Sequence, residues 1–274
     1  MTVALKVACL QLQPRDRESA SDYLDEVEEQ VLQEREADLI VLPELWSVGY
    51  FAFDDYEQHA TALDGPLVQR LSALARRTSA VLHAGSVVER SGTELYNTSV
   101  VFGSDGALLA TYRKMHVFGY QSREPELISA GRTLATAPVS SASAGLAICY
   151  DLRFPEVFRA MVDDVAIFIV PATWPASRVE HWQALLRARA VENQAFVIGC
   201  NAAGRNGDVE LGGSSAVIDP WGGVLAQAGP APEVLRASID LSAVTRARSE
   251  FPVLRDRVLA APSAVRAPMP EAAS

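Results

Sequence analysis

Cysteine and histidine are scarce, three and four in 274 residues. Three widely spaced thiols do not make a disulfide framework and fit a reducing compartment. No CxxC or HExxH spacing is present, so no metal site is expected. Phosphate and nucleotide signatures are missing as well: there is no GxxxxGK[ST] loop, no GxGxxG after a strand and no GxSxG elbow. A cofactor therefore has no support. Lysine and arginine number 24 against 34 acidic residues, a net charge of −10 without a basic cluster. That balance argues against nucleic acid and anionic membrane surfaces as partners. No apolar run approaches the roughly 18 to 20 residues that span a bilayer. The start, Met1-Thr2-Val3, lacks the basic region, apolar stretch and cleavage site of a signal peptide. A cytoplasmic protein is expected.

What is present is ordinary globular material, 49% apolar and 21% charged, in a length that suits one α/β unit. Residues 3–12 are apolar on both parities, as a strand covered on both faces would be. Residues 38–42 and 165–170 read the same way. Helices are expected over 21–36, over 66–77 with Pro66 in the first turn, and over 154–161 with Pro155 near the start. Another is expected over 179–193, where Val179, Trp182, Leu185, Leu186 and Ala190 share a side. Further strands are expected at 80–88, 96–102, 107–113, 144–148, 195–201, 215–218, 224–227 and 234–239, with a hairpin turn at Ser104-Asp105-Gly106. Strands that alternate with helices but also form direct hairpins imply mixed sheets, two of them face to face with helices outside. No linker interrupts residues 1–259. Residues 260–274, mostly alanine and proline, cannot bury a core and read as a tail, disordered or lying on a neighbour.

Three strand ends carry reactive groups. Leu42-Pro43-Glu44-Leu45-Trp46 delivers a carboxylate into apolar company. Tyr112-Arg113-Lys114-Met115-His116 delivers a cation, and Ala147-Ile148-Cys149-Tyr150-Asp151 a thiol just before a helix. Each has an ordinary explanation: a free cysteine is usually core, Glu44 suits a surface turn, and Lys114 suits a solvated strand end. Cys9 and Cys200, inside strands, are read as core. A base, a cation and a nucleophile at three strand ends together are the parts of covalent acyl transfer.

With these motifs in their order, the sequence resembles the nitrilase, or carbon–nitrogen hydrolase, superfamily. Leu42-Pro-Glu-Leu-Trp46, Tyr112-Arg-Lys-Met-His116 and Cys149-Tyr-Asp-Leu-Arg-Phe-Pro-Glu156 carry the likeness, which runs from Val3 to about Asp240 through Asn193-Gln194 and Gly213-Ser214-Ser215. The resemblance implies a four-layer αββα sandwich, pairing into an eight-layer homodimer that the tail could reach across. It implies a Glu44–Lys114–Cys149 triad and a second glutamate after the lysine. Glu124 matches that position better than Glu126, counting back from Gly131. Glu44 would take the thiol proton and return it to the departing amine. Lys114 and the Tyr150 backbone N–H would receive the oxyanion.

The cysteine motif, Pro171-Ala-Thr-Trp-Pro175 and the run from Arg178 to Gln194 most resemble the Nit and ω-amidase branch, whose small amide substrates carry a carboxylate. Arg153 and Arg178 are candidates to bind it, although Arg153 also suits a buried pair with Glu156 or Asp151. Tyr150, Trp174 and Tyr120 are candidate apolar walls. The 115–131 loop departs from the ω-amidase pattern. N-carbamoyl hydrolysis, acyl transfer to an amine and an idle binding relative are the alternatives.

Overall fold

A computed structural model describes residues 4–14, 20–259 and 265–266. The first half opens with β1 (Leu5–Gln11), α1 (Ala20–Gln33), β2 (Leu39–Val41), the single turn α2 (Tyr56–His59), α3 (Pro66–Thr78), β3 (Val81–Ser91), β4 (Glu94–Phe102) and β5 (Leu108–Arg113). After α4 (Glu124–Leu127) come β6 (Thr133–Leu134), β7 (Thr136–Val139), β8 (Ala142–Leu146), α5 (Pro155–Arg159), β9 (Ile167–Ala172), α6 (Val179–Asn193) and β10 (Phe196–Asn201). The hairpin β11 (Ala203–Asn206) and β12 (Val209–Gly212) precedes β13 (Ala216–Ile218), β14 (Val224–Gln227), β15 (Glu233–Ile239), α7 (Ser242–Glu250) and β16 (Val265–Arg266).

Two six-stranded mixed sheets result, ordered β15-β1-β2-β3-β4-β5 and β14-β13-β10-β9-β8-β7. Each has a parallel trio at its centre, β1-β2-β3 in one and β8-β9-β10 in the other, with antiparallel neighbours outside. The apolar residues on both parities of β1 explain the layering. Leu5, Val7 and Cys9 enter the core between the sheets with Ile148, Ile169, Ile198 and Cys200. Ala8 and Leu10 face the other way, onto Val27 and Val31 of α1 and Leu71 and Leu74 of α3. On the far sheet, Phe168 and Val170 pack beneath Phe158 of α5 and Trp182 and Leu186 of α6. Each large side chain buried in this way contributes about 1.5–3 kcal/mol. The order is helix, sheet, sheet, helix, the αββα class expected from the sequence.

The differences from expectation lie at weak signals. Val3 lies outside the described residues. Strand β3 runs on to Ser91, and the 154–161 helix shortens to α5 because a 3₁₀ turn (Cys149–Arg153) occupies the chain before it. The edge strand β7 contains Pro138, which is tolerated where no further strand needs its N–H. Helix α7 buries only Val244 and Ala247, too short a stripe to read. Of the 260–274 stretch, residues 265–266 form β16, parallel to β6; the rest lies outside the described residues. Among the described residues no helix is long and apolar enough to cross a membrane.

Candidate active site

The near sheet supplies charge. Strand β2 ends before Pro43, and the chain turns through Leu45 at φ 45°, turning Glu44 inward, where it is fully buried. Gly85 allows that approach: a Cβ there would meet the Pro43 carbonyl oxygen at 1.9 Å. At the end of β5, Lys114 is also buried. Its Nζ donates to Glu44 Oε1 at 2.9 Å and to Glu124 Oε1 and Oε2 at 3.0 and 3.1 Å. Burial opposes the ammonium, but Glu124 and Glu44 outweigh it and hold the lysine well above its ordinary value.

Two carboxylates around one cation leave excess negative charge, and neutral donors answer it. Asn97 Nδ2 donates to Glu44 Oε1 at 2.9 Å and to Glu124 Oε1 at 3.3 Å. The Tyr50 hydroxyl and the Phe118 N–H donate to Glu124 Oε2 at 3.1 and 2.8 Å. The Thr173 N–H donates to Glu44 Oε2 at 2.9 Å. Glu124 is thus saturated from several sides, whereas Glu44 turns its second oxygen toward the far sheet. Glu126, two residues on from Glu124, is exposed and lies 3.7 Å from Arg123. The structure therefore brings Glu124, and not Glu126, to Lys114.

The far sheet supplies the thiol. Cys149 opens the 3₁₀ turn at φ 45°, a left-handed conformation unusual for a residue with a Cβ. Burial pushes its thiol well above the ordinary value, the Glu44 carboxylate adds to this, and Lys114 opposes it. The Glu44 carboxylate stands near enough to act on the thiol electrostatically. The resting group is thus a protonated thiol beside a carboxylate. Among the described residues the Tyr150 N–H, in the first turn of that 3₁₀ segment, has no acceptor.

Around the thiol lies a small cavity of about 30 Å³. Tyr150, Arg153, Trp174 and Arg178 line it, together with Tyr50 and Phe118. Arg153 lies 4.7 Å over the Trp174 ring and reaches His181 Nδ1 at 3.3 Å. It does not pair with Asp151 or Glu156: Asp151 is turned inward and taken by other donors, and Glu156 is exposed. Arg178 lies 5.6 Å over the Phe118 ring. Among the described residues neither arginine has a carboxylate within salt-bridge distance. Burial lowers the Arg153 pKa, and nearby Arg178 lowers it further.

Tyr120 departs from expectation. It is 64% exposed and does not line the cavity. The chain turns at Gly119-Tyr120-Gln121, with Gln121 at φ 50°, and this turns Tyr120 outward. Phe118 takes the place, its N–H fixed on Glu124 and its ring edge-on to Tyr150 at 4.9 Å. Sequence reasoning also passed over Asn97, Tyr50 and Thr173. Asn97 opens a polar run, Asn97-Thr98-Ser99, that is buried in the middle of β4 and carries no sign of which member reaches the site.

A thiol, a buried carboxylate, a fixed cation and an open N–H are thus brought together at one small cavity. The chain belongs to the carbon-nitrogen hydrolase family, whose sequence profile matches residues 6–249. A 2-oxoglutaramate amidase from Paenarthrobacter nicotinovorans is 43% identical over 262 residues, 92% of this chain and 89% of that protein. The omega-amidase NIT2 of Homo sapiens is 34% identical over 234 residues, 81% of this chain and 83% of that protein. Among solved structures, XC1258 from Xanthomonas campestris, a CN-hydrolase superfamily protein with an arsenic adduct in its active site, has a TM-score of 0.86. It is 30% identical, with 95% of this chain and 99% of that chain covered. The relatives fall in the Nit and ω-amidase branch that the motifs suggested, and the chain is a hydrolase of carbon–nitrogen bonds other than peptide bonds.

Proposed function

We propose that the protein is a cysteine amidase that hydrolyses the terminal carboxamide of a small carboxylate-bearing substrate to an acid and ammonia, 2-oxoglutaramate being the first to test. The observation that carries this reading is the thiol of Cys149, held on a left-handed turn against Glu44 with two carboxylate-free arginines across the same cavity. A substrate carboxylate would meet Arg153 and Arg178, placing the far amide at Cys149.

Cys149 gives its proton to Glu44 as its sulfur attacks the amide carbon. The oxyanion is met by the Tyr150 N–H and by the Lys114 ammonium, which shares its three N–H bonds between the oxyanion and the carboxylate oxygens it already holds. Glu44 then protonates the amine as the C–N bond breaks, ammonia leaves, and a thioester remains on Cys149. Water enters, yields a proton to Glu44 and attacks the thioester carbon. The sulfur departs, recovers that proton, and the acid is released. Glu124, held by Asn97, Tyr50 and the Phe118 amide, keeps Lys114 charged and in place.

The same proposal takes residues 1–259 as the hydrolase domain and 260–274 as a tail. It includes a homodimer, supported by an apolar surface where exposed Trp221 stacks on exposed Phe251 at 6.3 Å, beside exposed Val191. A nucleophilic thiol suits a cytoplasmic setting. The activity is tested by ammonia release from ω-amides of 2-oxo acids, N-carbamoyl amino acids, glutathione-like amides and nitriles, with Cys149→Ala as control. Release from ω-amides by the wild type alone is expected; selective release from N-carbamoyl compounds would overturn the substrate reading. A monomeric mass by light scattering at micromolar concentration would overturn the dimer.

A further inference from the structure

One buried carboxylate near the site takes no part in that chemistry. Asp151, two residues after Cys149, is fully buried. Its Oδ2 accepts from the Ile148 N–H at 2.9 Å and the Tyr112 hydroxyl at 2.8 Å. Its Oδ1 accepts from the His116 N–H at 3.0 Å and from His116 Nδ1 at 2.8 Å. The Asp151 N–H returns a bond to the Ile148 carbonyl at 2.9 Å. Asp151 and Ile148 therefore clasp each other around Cys149, from both sides of its left-handed backbone. Such a conformation persists only where its surroundings determine it.

The other two partners come from the opposite sheet. Tyr112 and His116 stand two residues before and two after Lys114, and both reach Asp151 while Lys114 points to Glu44 and Glu124. His116 also stacks on Phe154, at 3.6 Å between centroids and 6° between planes, just beyond the 3₁₀ turn. From the back, Arg189 of α6 holds the Leu152 carbonyl with two N–H groups at 3.0 and 2.7 Å. One carboxylate thus ties the strand end that carries the cation to the turn that carries the thiol.

We propose that Asp151 is a positioning residue, which with Tyr112 and His116 sets the placement of Cys149 relative to Lys114 and Glu44. This rests on Cys149 being the nucleophile. It assigns the aspartate no contact with substrate and no share in the proton transfers. Its effect is geometric, and misplacement near an ångström costs on the order of a hundredfold in rate.

The test compares Asp151→Asn, Tyr112→Phe, His116→Ala and His116→Asn. Asparagine at 116 keeps a donor where Nδ1 stands. Turnover is expressed per reactive Cys149 thiol, titrated with iodoacetamide and located by peptide mass spectrometry, and thermal unfolding is followed alongside. Asp151→Asn is expected to lower kcat about a hundredfold with KM nearly unchanged. Tyr112→Phe and His116→Ala should each lower kcat about tenfold, the scale of one lost hydrogen bond, and His116→Asn should restore most of the histidine loss. The rate of Cys149 alkylation, which depends on no substrate, should change in the same order. The proposal is overturned if turnover per titrated thiol and alkylation rate are unchanged in Tyr112→Phe and His116→Ala, or if KM rises while kcat holds. These two variants decide the matter if Asp151→Asn does not fold. Failure of the wild type to release ammonia from any amide would overturn the amidase reading instead, and the alkylation series would still test the positioning.

Discussion

Cys9 and Cys200 lie in the core between the two sheets, whereas Cys149 lies where the far sheet turns out toward the cavity. The pair sits in regular strands. The Cys200 thiol donates to the Val41 carbonyl at 3.3 Å, and burial, then contact with Cys9, pushes its pKa up. Burial raises the Cys149 thiol as well, so desolvation does not distinguish the two regions. Charge and backbone do. Among the described residues no carboxylate is set against the Cys9 and Cys200 thiols and neither cysteine has positive φ, while at Cys149 the Glu44 carboxylate acts on the thiol and the backbone is left-handed. On the proposed function, it is the neighbouring carboxylate and the strained turn that make one buried thiol a nucleophile and leave the others inert.

The largest expected effect tests that contrast directly. Cys149→Ala should lower ammonia release by at least about 10⁴-fold, the scale seen when a covalent nucleophile is removed, with little change in unfolding midpoint. Cys200→Ala should do the reverse: turnover within about twofold, and a stability loss of about 1–2 kcal/mol from the void left between the sheets. Equal losses of turnover would mean that the interior thiols are part of the chemistry.

Lys114→Met sharpens the comparison from the charged side. It leaves Glu44 and Glu124 buried with no cation between them, a change that costs about 3–5 kcal/mol when one partner of a buried pair is removed. Urea unfolding would read that loss, and turnover should fall about 10³-fold with the oxyanion donor gone. A variant as stable as the wild type would show that Asn97 and Tyr50 suffice to hold both carboxylates.

The interior has its own titrating group, and its pH response runs in the same direction as that of a paired carboxylate but begins at a higher pH. His83 on β3 is fully buried, its Nδ1 accepts from the Gly85 N–H at 3.2 Å, and burial lowers its pKa from 6.5 to about 4. Below pH 6.5 the unfolded chain takes up a proton that the folded chain refuses. Stability from this group is therefore present above pH 6.5 and falls by about 3 kcal/mol as pH drops to 4. Urea midpoints across that range would show the slope, and His83→Gln should flatten it. An unchanged slope in the variant would place the acid sensitivity elsewhere.

What the sequence disclosed divides along the same line. Glu44, Lys114 and Cys149 were legible because each stands where an apolar strand stops, and a reactive side chain at such a place is conspicuous. The layers were legible because β1 and β9 are apolar on both parities. Glu124 was preferred to Glu126 only through the family resemblance, since both fall on the one-turn helix α4 and packing selects which side is buried. Asn97 was hidden because a strand pattern does not reveal what lies across the sheet. The hairpin β11–β12 carries Asn206, which holds the Phe51 N–H at 2.9 Å; its four-residue strands around Gly207-Asp208 gave too little alternation to read. Tyr120 misled because an aromatic residue in a loop beside the site suggests a wall, and only the turn at Gln121 shows that it points outward.

That last point supplies the smallest test. Phe118 presents its ring to Tyr150 and lies under Arg178, contacts worth on the order of 1 kcal/mol each. Phe118→Ala should therefore raise KM about tenfold, with a smaller loss in kcat through the loosened Glu124 contact. Tyr120→Ala, two residues on and facing solvent, should leave both constants within about twofold. Steady-state kinetics on the preferred ω-amide separates the cases. If the two variants raise KM alike, Tyr120 reaches the substrate, and the loop over 115–131 must fold onto the cavity when substrate binds. If neither does, substrate selection rests on Arg153 and Arg178 with the Trp174 face, and the aromatic rim only excludes water.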